Sequence, residues 1–557
     1  MNPLRKTCRW LLVVMLVPLL AASEGCEKKR KPSASGLGRS QQEAQRIRRD
    51  DLFTYAIANL DRLEEFDTTE MLRQTIDRLN QWVQEQPPVP DWKVDPLVAG
   101  LPKEYAGLPV LKTLDKREFT IVPPAADSET LQEAVLARDV SRWARGEQVE
   151  DVPLIKELFD WTVRNIQLEP EAFDPAGNPL RVLQTPWETL LLGRGTAAER
   201  AWVFILLARQ QGLEAAVLMP AESRGLTQER LGPCVVGVLS KGELYLFDSA
   251  LGMPIPGPKG RKLDENGRLT LEPATLGQVV SDESLLRQLD GDLEHPYRLK
   301  ASQLKSVVAL LEASPASLSQ RMKLLEARLA GSSKMVLTAD PTAQAERLKK
   351  CAHVTDARLW PRPYQRVLQE MQLGEKRVKW QMFMLMPFQV GVGNSPALYR
   401  GRMYHLKGRL TGSPCAAELY QMARLSNKQI EAARVDPQSK AIYLRAKLDA
   451  SYWLGLIAAY QNNPRSAIDY FDTRTLDVVP DNLWTHGAKY NLARVYEASN
   501  QPQEAIKLYR ADTKSPSYHG NLLRARWLES LTAKETKGEA EDTKSGEAKG
   551  EGAKSEG

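Results

Sequence analysis

Apolar residues fall at helical spacing along most of the chain, and the places where that spacing breaks divide it. Trp10 to Ala22 is an apolar run behind Arg5, Lys6 and Arg9. It is shorter than the roughly 20 residues that cross a bilayer. A basic start and a short apolar core predict an export signal over residues 1–26. Residues 27–41 are basic and then rich in Ser and Gly, which predicts a flexible tether. Ile47, Leu52, Tyr55, Ala56, Leu60 and Leu63 share one helical face, and Met71, Ile76, Leu79 and Val83 share another. Asp67-Thr68-Thr69 supplies a cap between them, and Pro87, Pro88 and Pro90 end the pair. Residues 42–126 therefore read as a helical N-terminal region and a Pro-rich connector, with a strand expected near Phe119-Thr120-Ile121-Val122.

Residues 127–256 carry the densest pattern. One helix is predicted through Leu131, Val135, Val140 and Trp143, and a second through Leu154 to Ile166. Thr185-Pro186-Trp187-Glu188 is a capped helix start with Pro at an early position. Gly193-Arg194-Gly195-Thr196 is a turn, and Ala197 to Gln211 an apolar helix stopped by Gly212. Three strands follow, over Glu214–Met219, Cys234–Leu239 and Leu244–Phe247, the last two joined by Ser240-Lys241-Gly242. The order is helix, turn, helix, then an antiparallel meander ending at Asp248.

That order and these residues resemble the transglutaminase-like domain, a papain-like α+β fold. Gly193 to Ala201 is similar to the family's G-x-G-x-C turn and first helical turns, and Leu206 to Ala215 to its helix end. Phe247-Asp248-Ser249 stands where the family has its catalytic Asp. The resemblance places the nucleophilic Cys at Ala197, which has no group to attack a carbonyl. The family's His falls on Cys234, and no His occurs between residues 128 and 256. A thiolate needs a base or a cation to form. The expectation is therefore a domain without catalytic residues, with Cys234 and Asp248 as the weak candidates. Cys234 reads as a small buried hydrophobe, or as a relocated nucleophile.

Residues 257–396 read as a mixed helical linker region, polar and turn-rich to about residue 300. Leu304, Val307, Val308 and Leu311 share a helical face, as do Leu318, Met322, Leu325 and Leu329, and Lys334 to Thr338 predicts a strand. The run Met382 to Phe388 reads as core rather than as an adaptable Met-rich surface.

Residues 397–532 repeat. Leu454-Gly455, Asn462, Pro464, Ala467-Ile468 and Phe471 recur 38 residues on as Leu492-Ala493, Asn500, Pro502, Ala505-Ile506 and Tyr509. Each unit reads as helix, turn, helix and resembles the tetratricopeptide repeat, whose unit is about 34 residues. Met403-Tyr404, Ala416, Tyr420 and Ala423 fit a looser upstream unit, and Leu522 to Leu528 a capping helix. Residues 533–557 are Lys, Glu, Gly, Ala and Ser with little to bury, which predicts a disordered tail.

Composition narrows the function. Hydrophobic residues make up 42% of the 557, so the chain can build cores. A net charge of +6, from 76 basic against 70 acidic residues, does not suggest a nucleic-acid binder. Five cysteines exclude a disulfide scaffold. Cys351 and His353 have no second pair nearby, so no metal site is expected, and no cofactor. Gly25-Cys26 after the signal resembles a bacterial lipoprotein cleavage site, which makes Cys26 the candidate lipidation residue. The reading is a mainly helical α+β chain: a transglutaminase-like unit with a tetratricopeptide-like solenoid, exported to the envelope and anchored at the membrane. Its expected role is a non-catalytic scaffold that binds a protein partner through the repeats. The alternatives are a cysteine-dependent hydrolase or acyltransferase using Cys234, and a docking subunit with its repeats buried in a permanent interface.

Overall fold

The computed structural model describes residues 39–533, apart from 66–67, 124–125, 172–180, 224–234, 266, 292–295, 390–395, 433–435 and 480. The export signal, Cys26, most of the tether, Cys234, His295 and all but the first residue of the tail lie outside the described residues. The molecule is a mainly helical α+β structure.

Helices α1 (Arg39–Asp61) and α2 (Thr68–Gln84) pair at the N-terminus, and α3 (Asp127–Ala144) and α4 (Asp151–Asn165) follow the Pro-rich connector. The short strands β1 (Gln167–Leu168) and β2 (Arg194–Gly195) run parallel. Between them α5 (Pro186–Leu192) starts on Thr185, whose Oγ1 accepts the Glu188 amide at 3.1 Å while Glu188 accepts the Thr185 amide at 2.9 Å. This capping box satisfies two orphan donors at once. Gly193 ends the helix at φ 66°, a conformation that favours glycine. Helix α6 (Ala197–Gln210) opens on a second box, Thr196 with Glu199.

Helix α6 packs on a six-stranded sheet of β3 (Glu214–Pro220), β4 (Val235–Ser240), β5 (Glu243–Asp248), β6 (Met253–Pro254), β9 (Val307–Leu311) and β10 (Val354–Leu359), in the order β10-β9-β3-β4-β5-β6. β10 and β9 are parallel and the other pairs antiparallel. β7 (Pro256–Leu263) and β8 (Leu269–Pro273) make a separate hairpin.

Four expectations are corrected here. Val307–Leu311 is not helical but a fully buried sheet strand, paired on both edges. A continuous apolar run fits a strand buried on both faces, and periodicity alone does not separate it from a helix. Residues 119–122 and 334–338 form no strand and pair with none among the described residues. Their amides go to side chains instead: Phe119 to Asn80, Thr120 to Asp127, Val336 to Gln210, and Leu337 and Thr338 to Glu326. Residues 257–396 are also no linker, because β9 and β10 extend the sheet that β3 begins.

The C-terminal region contains three helix pairs among the described residues, α7 (Ala397–Leu406) with α8 (Ala416–Ala423), α9 (Pro437–Tyr460) with α10 (Pro464–Phe471), and α11 (Thr485–Ala498) with α12 (Pro502–Ala511), with a short helix, Asn427–Ala432, between the first two. Each first helix ends the same way. Gly408, Asn462 and Asn500 take positive φ, at 72°, 54° and 53°. The next amide reaches back five residues: Arg409 to Tyr404, Asn463 to Ala458 and Gln501 to Tyr496, at 2.8–2.9 Å. That is a Schellman closure. Small residues then admit an aromatic ring. A Cβ on Gly455 would lie 2.6 Å from the Phe471 ring, and one on Gly401 2.8 Å from Tyr420. Ala493 and Tyr509, 38 residues beyond Gly455 and Phe471, are both buried. A final helix, residues 518–533, follows. In the Met382–Phe388 run Met384, Pro387 and Phe388 are buried and Phe383 is exposed.

Candidate functional site

Ala197 is the first residue of α6 and is 7% exposed. The helix start closes on itself. Glu199 accepts the amides of Thr196 at 2.9 Å and Gln184 at 2.8 Å, and Arg181 and Arg362 approach it at 3.4 and 3.6 Å. A helix N-terminus can hold an anion. Here the chain's own carboxylate does so.

Asp248 ends β5 and is buried. Oδ1 accepts the amides of Ala250 at 2.8 Å and Leu251 at 3.0 Å. Oδ2 accepts the Tyr297 hydroxyl at 2.8 Å and the Arg298 guanidinium at 3.3 Å. Oδ1 holds the loop beyond the strand and Oδ2 ties Tyr297 and Arg298 to it, and among the described residues no imidazole contacts this carboxylate. Val235 faces Asp248 across the ladder. Cys234 precedes it, outside the described residues.

Arg200, one turn into α6, joins these parts. Nε and Nη2 donate to the Ile166 carbonyl, Nη2 also to Val163, and Nη1 to Ser249 at 3.3 Å. No carboxylate pairs with it within 4.0 Å among the described residues. Burial pushes its guanidinium down to about 10. Sequence reading missed Arg200, because a charged residue on an amphipathic helix reads as a solvent-facing position.

The described histidines lie in the C-terminal helical region or, for His353, beside the sheet. His405 is buried against Arg402 and Tyr420, and burial holds it well below its usual value. His486 Nδ1 lies 2.9 Å from Asp512 Oδ1, and Asn521 donates to the other oxygen at 3.1 Å. This imidazole–carboxylate pair had no signal in the sequence, since 26 residues separate its members. Ser517 lines the same small cavity as His486, but no hydrogen bond joins them among the described residues. His353 Nδ1 contacts the Lys305 carbonyl and the Cys351 thiol faces Arg347, so that pair does not converge. Among the described residues no group of three or more His, Cys, Asp or Glu is placed to hold a metal. The Glu133 carboxyl is pushed up to about 8 by burial and then by Glu312, but it lines neither cavity described here.

The repeats meet the α/β unit through their first helices. Arg402 of α7 donates to the carbonyls of Leu190 and Leu191. Gln167 of β1 donates to the Leu483 carbonyl and accepts the Gly487 amide at 2.7 Å. Asn491 donates to the Arg164 carbonyl, and Arg494 pairs with Asp160 at 2.9 Å. Trp453 and Trp484 close on Gly193, where a Cβ would meet both rings at 3.2–3.3 Å. One apolar cluster contains residues of both parts. The face on which partner binding was expected is therefore covered along much of its length by the chain itself. No family model, no curated protein and no solved structure matches this chain.

Proposed function

We propose that this chain is a non-catalytic scaffold of the bacterial cell envelope, with a transglutaminase-like unit fused to tetratricopeptide-like repeats. The observation that carries the reading is the start of α6. A methyl group stands where the resemblance puts the nucleophile, the helix terminus is capped by Glu199, and both oxygens of Asp248 are engaged, by its own loop and by Tyr297 and Arg298. A domain in this state contributes shape rather than chemistry. The recurring Schellman turns and glycine–aromatic contacts support the repeat reading. The repeats' first helices pack on the α/β unit, so a protein partner would meet the outer, second-helix faces. Lipid on Cys26 would hold the assembly at the membrane through a short tether.

The reading is tested in envelopes with the full chain. Cys26→Ser protein should move from the membrane to the soluble fraction, while Cys234→Ser protein should stay and form the same cross-linked complexes as wild type. Retention of the Cys26→Ser protein in the membrane refutes the anchor. Loss of complexes on Cys234→Ser refutes the scaffold.

A further inference from the structure

A cleft of about 500 Å³ lies where α4, the β7–β8 hairpin and the repeats meet. That volume is in the range of small-molecule sites. Glu157, Asp160 and Arg164 face it from α4, Arg268 from the hairpin, Arg494 from α11 and Arg524 from the last helix. Gly267 of the hairpin touches Asn500, the turn residue of the last pair, so the hairpin closes one side. Arg164 and Gly252 also line a second, small cavity, onto which Arg200 opens.

The basic groups around this space are unevenly neutralised. Arg524 is paired with Glu497 at 2.7 Å, Arg494 with Asp160 at 2.9 Å and Lys156 with Glu272 at 2.8 Å. Arg164 donates no hydrogen bond among the described residues. Its one carboxylate contact is Asp160 at 3.9 Å, and Arg494 already holds that group. Arg268 reaches a carboxylate, Asp264, only at 3.8 Å. Arg200 has carbonyls alone. Glu157 is exposed to solvent at the rim. Burial, and the like charges of Arg494 and Arg268, hold the Arg164 guanidinium below its usual range. The Arg164 side chain is 25% exposed, so its head opens onto the cleft; a partly desolvated guanidinium with no full partner is costly, and an anion relieves that cost.

We propose that this cleft binds a small organic anion, its carboxylate or phosphate headgroup taken by Arg164 and Arg268 and its body lying along Met253, Leu271 and Val495. Both headgroups present the paired oxygens that a guanidinium fork matches. The inference is independent of the scaffold reading.

The probes are 3-phenylpropionate, phenyl phosphate and the neutral 3-phenylpropionamide, titrated calorimetrically into the full chain at low salt. At least one anion should bind saturably at a single site, and the amide should not. Arg164→Gln should weaken that binding about 10- to 100-fold, the loss expected for a charge-assisted bond. Arg268 is half exposed, so Arg268→Gln keeps the fold and should weaken binding in the same direction. Arg347→Gln, on an exposed residue paired with Glu214 and lining neither cavity, should change nothing. Tighter binding of the carboxylate assigns a carboxylate ligand, and tighter binding of the phosphate assigns a phosphate ligand. Absence of saturation by either anion up to about 10 mM overturns the proposal. So does unchanged affinity in both the Arg164→Gln and Arg268→Gln proteins.

Discussion

Glu497→Ala should lower stability by about 3–5 kcal/mol, the usual cost of removing one partner from a buried charge network. The Glu497 carboxylate is fully buried. It accepts the Tyr509 hydroxyl at 2.5 Å and Arg524 at 2.7 and 3.1 Å, with Arg494 at 3.9 Å. Three helices meet at this group: α11, α12 and the helix of residues 518–533. Without it Arg524 keeps only the Tyr509 hydroxyl. Urea unfolding measures the loss, and the exposed Glu504→Ala is the control, expected within about 0.5 kcal/mol of wild type. The effect depends on pH with a definite sign. Burial pushes the Glu497 carboxyl up, but Arg524 and Arg494 together more than offset that and hold it below its usual range. A depressed carboxyl stabilises the fold above its unfolded value, near 4.5, and that contribution is lost as pH falls through its folded value. The gap between wild type and Glu497→Ala should therefore be full at pH 7 and shrink below about pH 4.5. A gap that stayed constant to pH 3 would contradict the charge account.

Gly520→Ala should destabilise by about 3 kcal/mol, although alanine favours helix over glycine by about 1 kcal/mol. A Cβ at Gly520 would fall on the Leu251 carbonyl oxygen. That atom is backbone, so no rotamer moves it aside. The loop cannot yield easily either. Asp248 holds two of its amides, and Gly252 turns it at φ 68°. The last helix must shift off the α/β unit. Gly277 is the matched control, since its nearest neighbours would lie 4.0 Å from an added Cβ. Gly277→Ala should leave the melting temperature unchanged or higher. A stabilised Gly520→Ala protein would mean that the last helix is not docked as described.

How much of this was legible in the sequence depended on how local each signal was. The helix starts at Thr185 and Thr196 rest on contacts three residues apart, and both stand in the sequence as Thr-x-x-Glu. The repeat spacing is likewise local to each helix pair. The meander β3–β4–β5 was readable from short apolar runs bounded by Gly212 and by the Ser240-Lys241-Gly242 turn. Val307–Leu311 failed because five consecutive apolar residues carry no period. Residues 334–338 failed because their amides bond to Gln210 and Glu326, partners that sequence pattern does not reveal. The site was half legible. Ala197 and Asp248 could be named from order alone. That the second oxygen of Asp248 is taken by Tyr297 and Arg298 depends on residues some 50 positions away. Arg200 bonds to carbonyls 34 to 49 residues away and His486 to an Asp 26 residues on, and the cleft arises where the repeats dock.

That docking shapes the whole account. The first helices of the repeats cover the α/β unit, and tryptophans, amides and ion pairs fix the junction. The position expected to hold a nucleophile lies near this junction and carries no reactive group. The proposed scaffold requires that Cys234 is no activated thiolate. Cys351 and Cys415 are buried, and burial raises the Cys351 thiol above its usual value. Site-resolved labelling of the native full chain by a small electrophile at neutral pH, read by mass spectrometry, tests the claim directly. The account predicts that Cys351 and Cys415 stay protected until unfolding and that Cys234 reacts no faster than a free thiol. Labelling of Cys234 well above the free-thiol rate would contradict it and identify a stabilised thiolate.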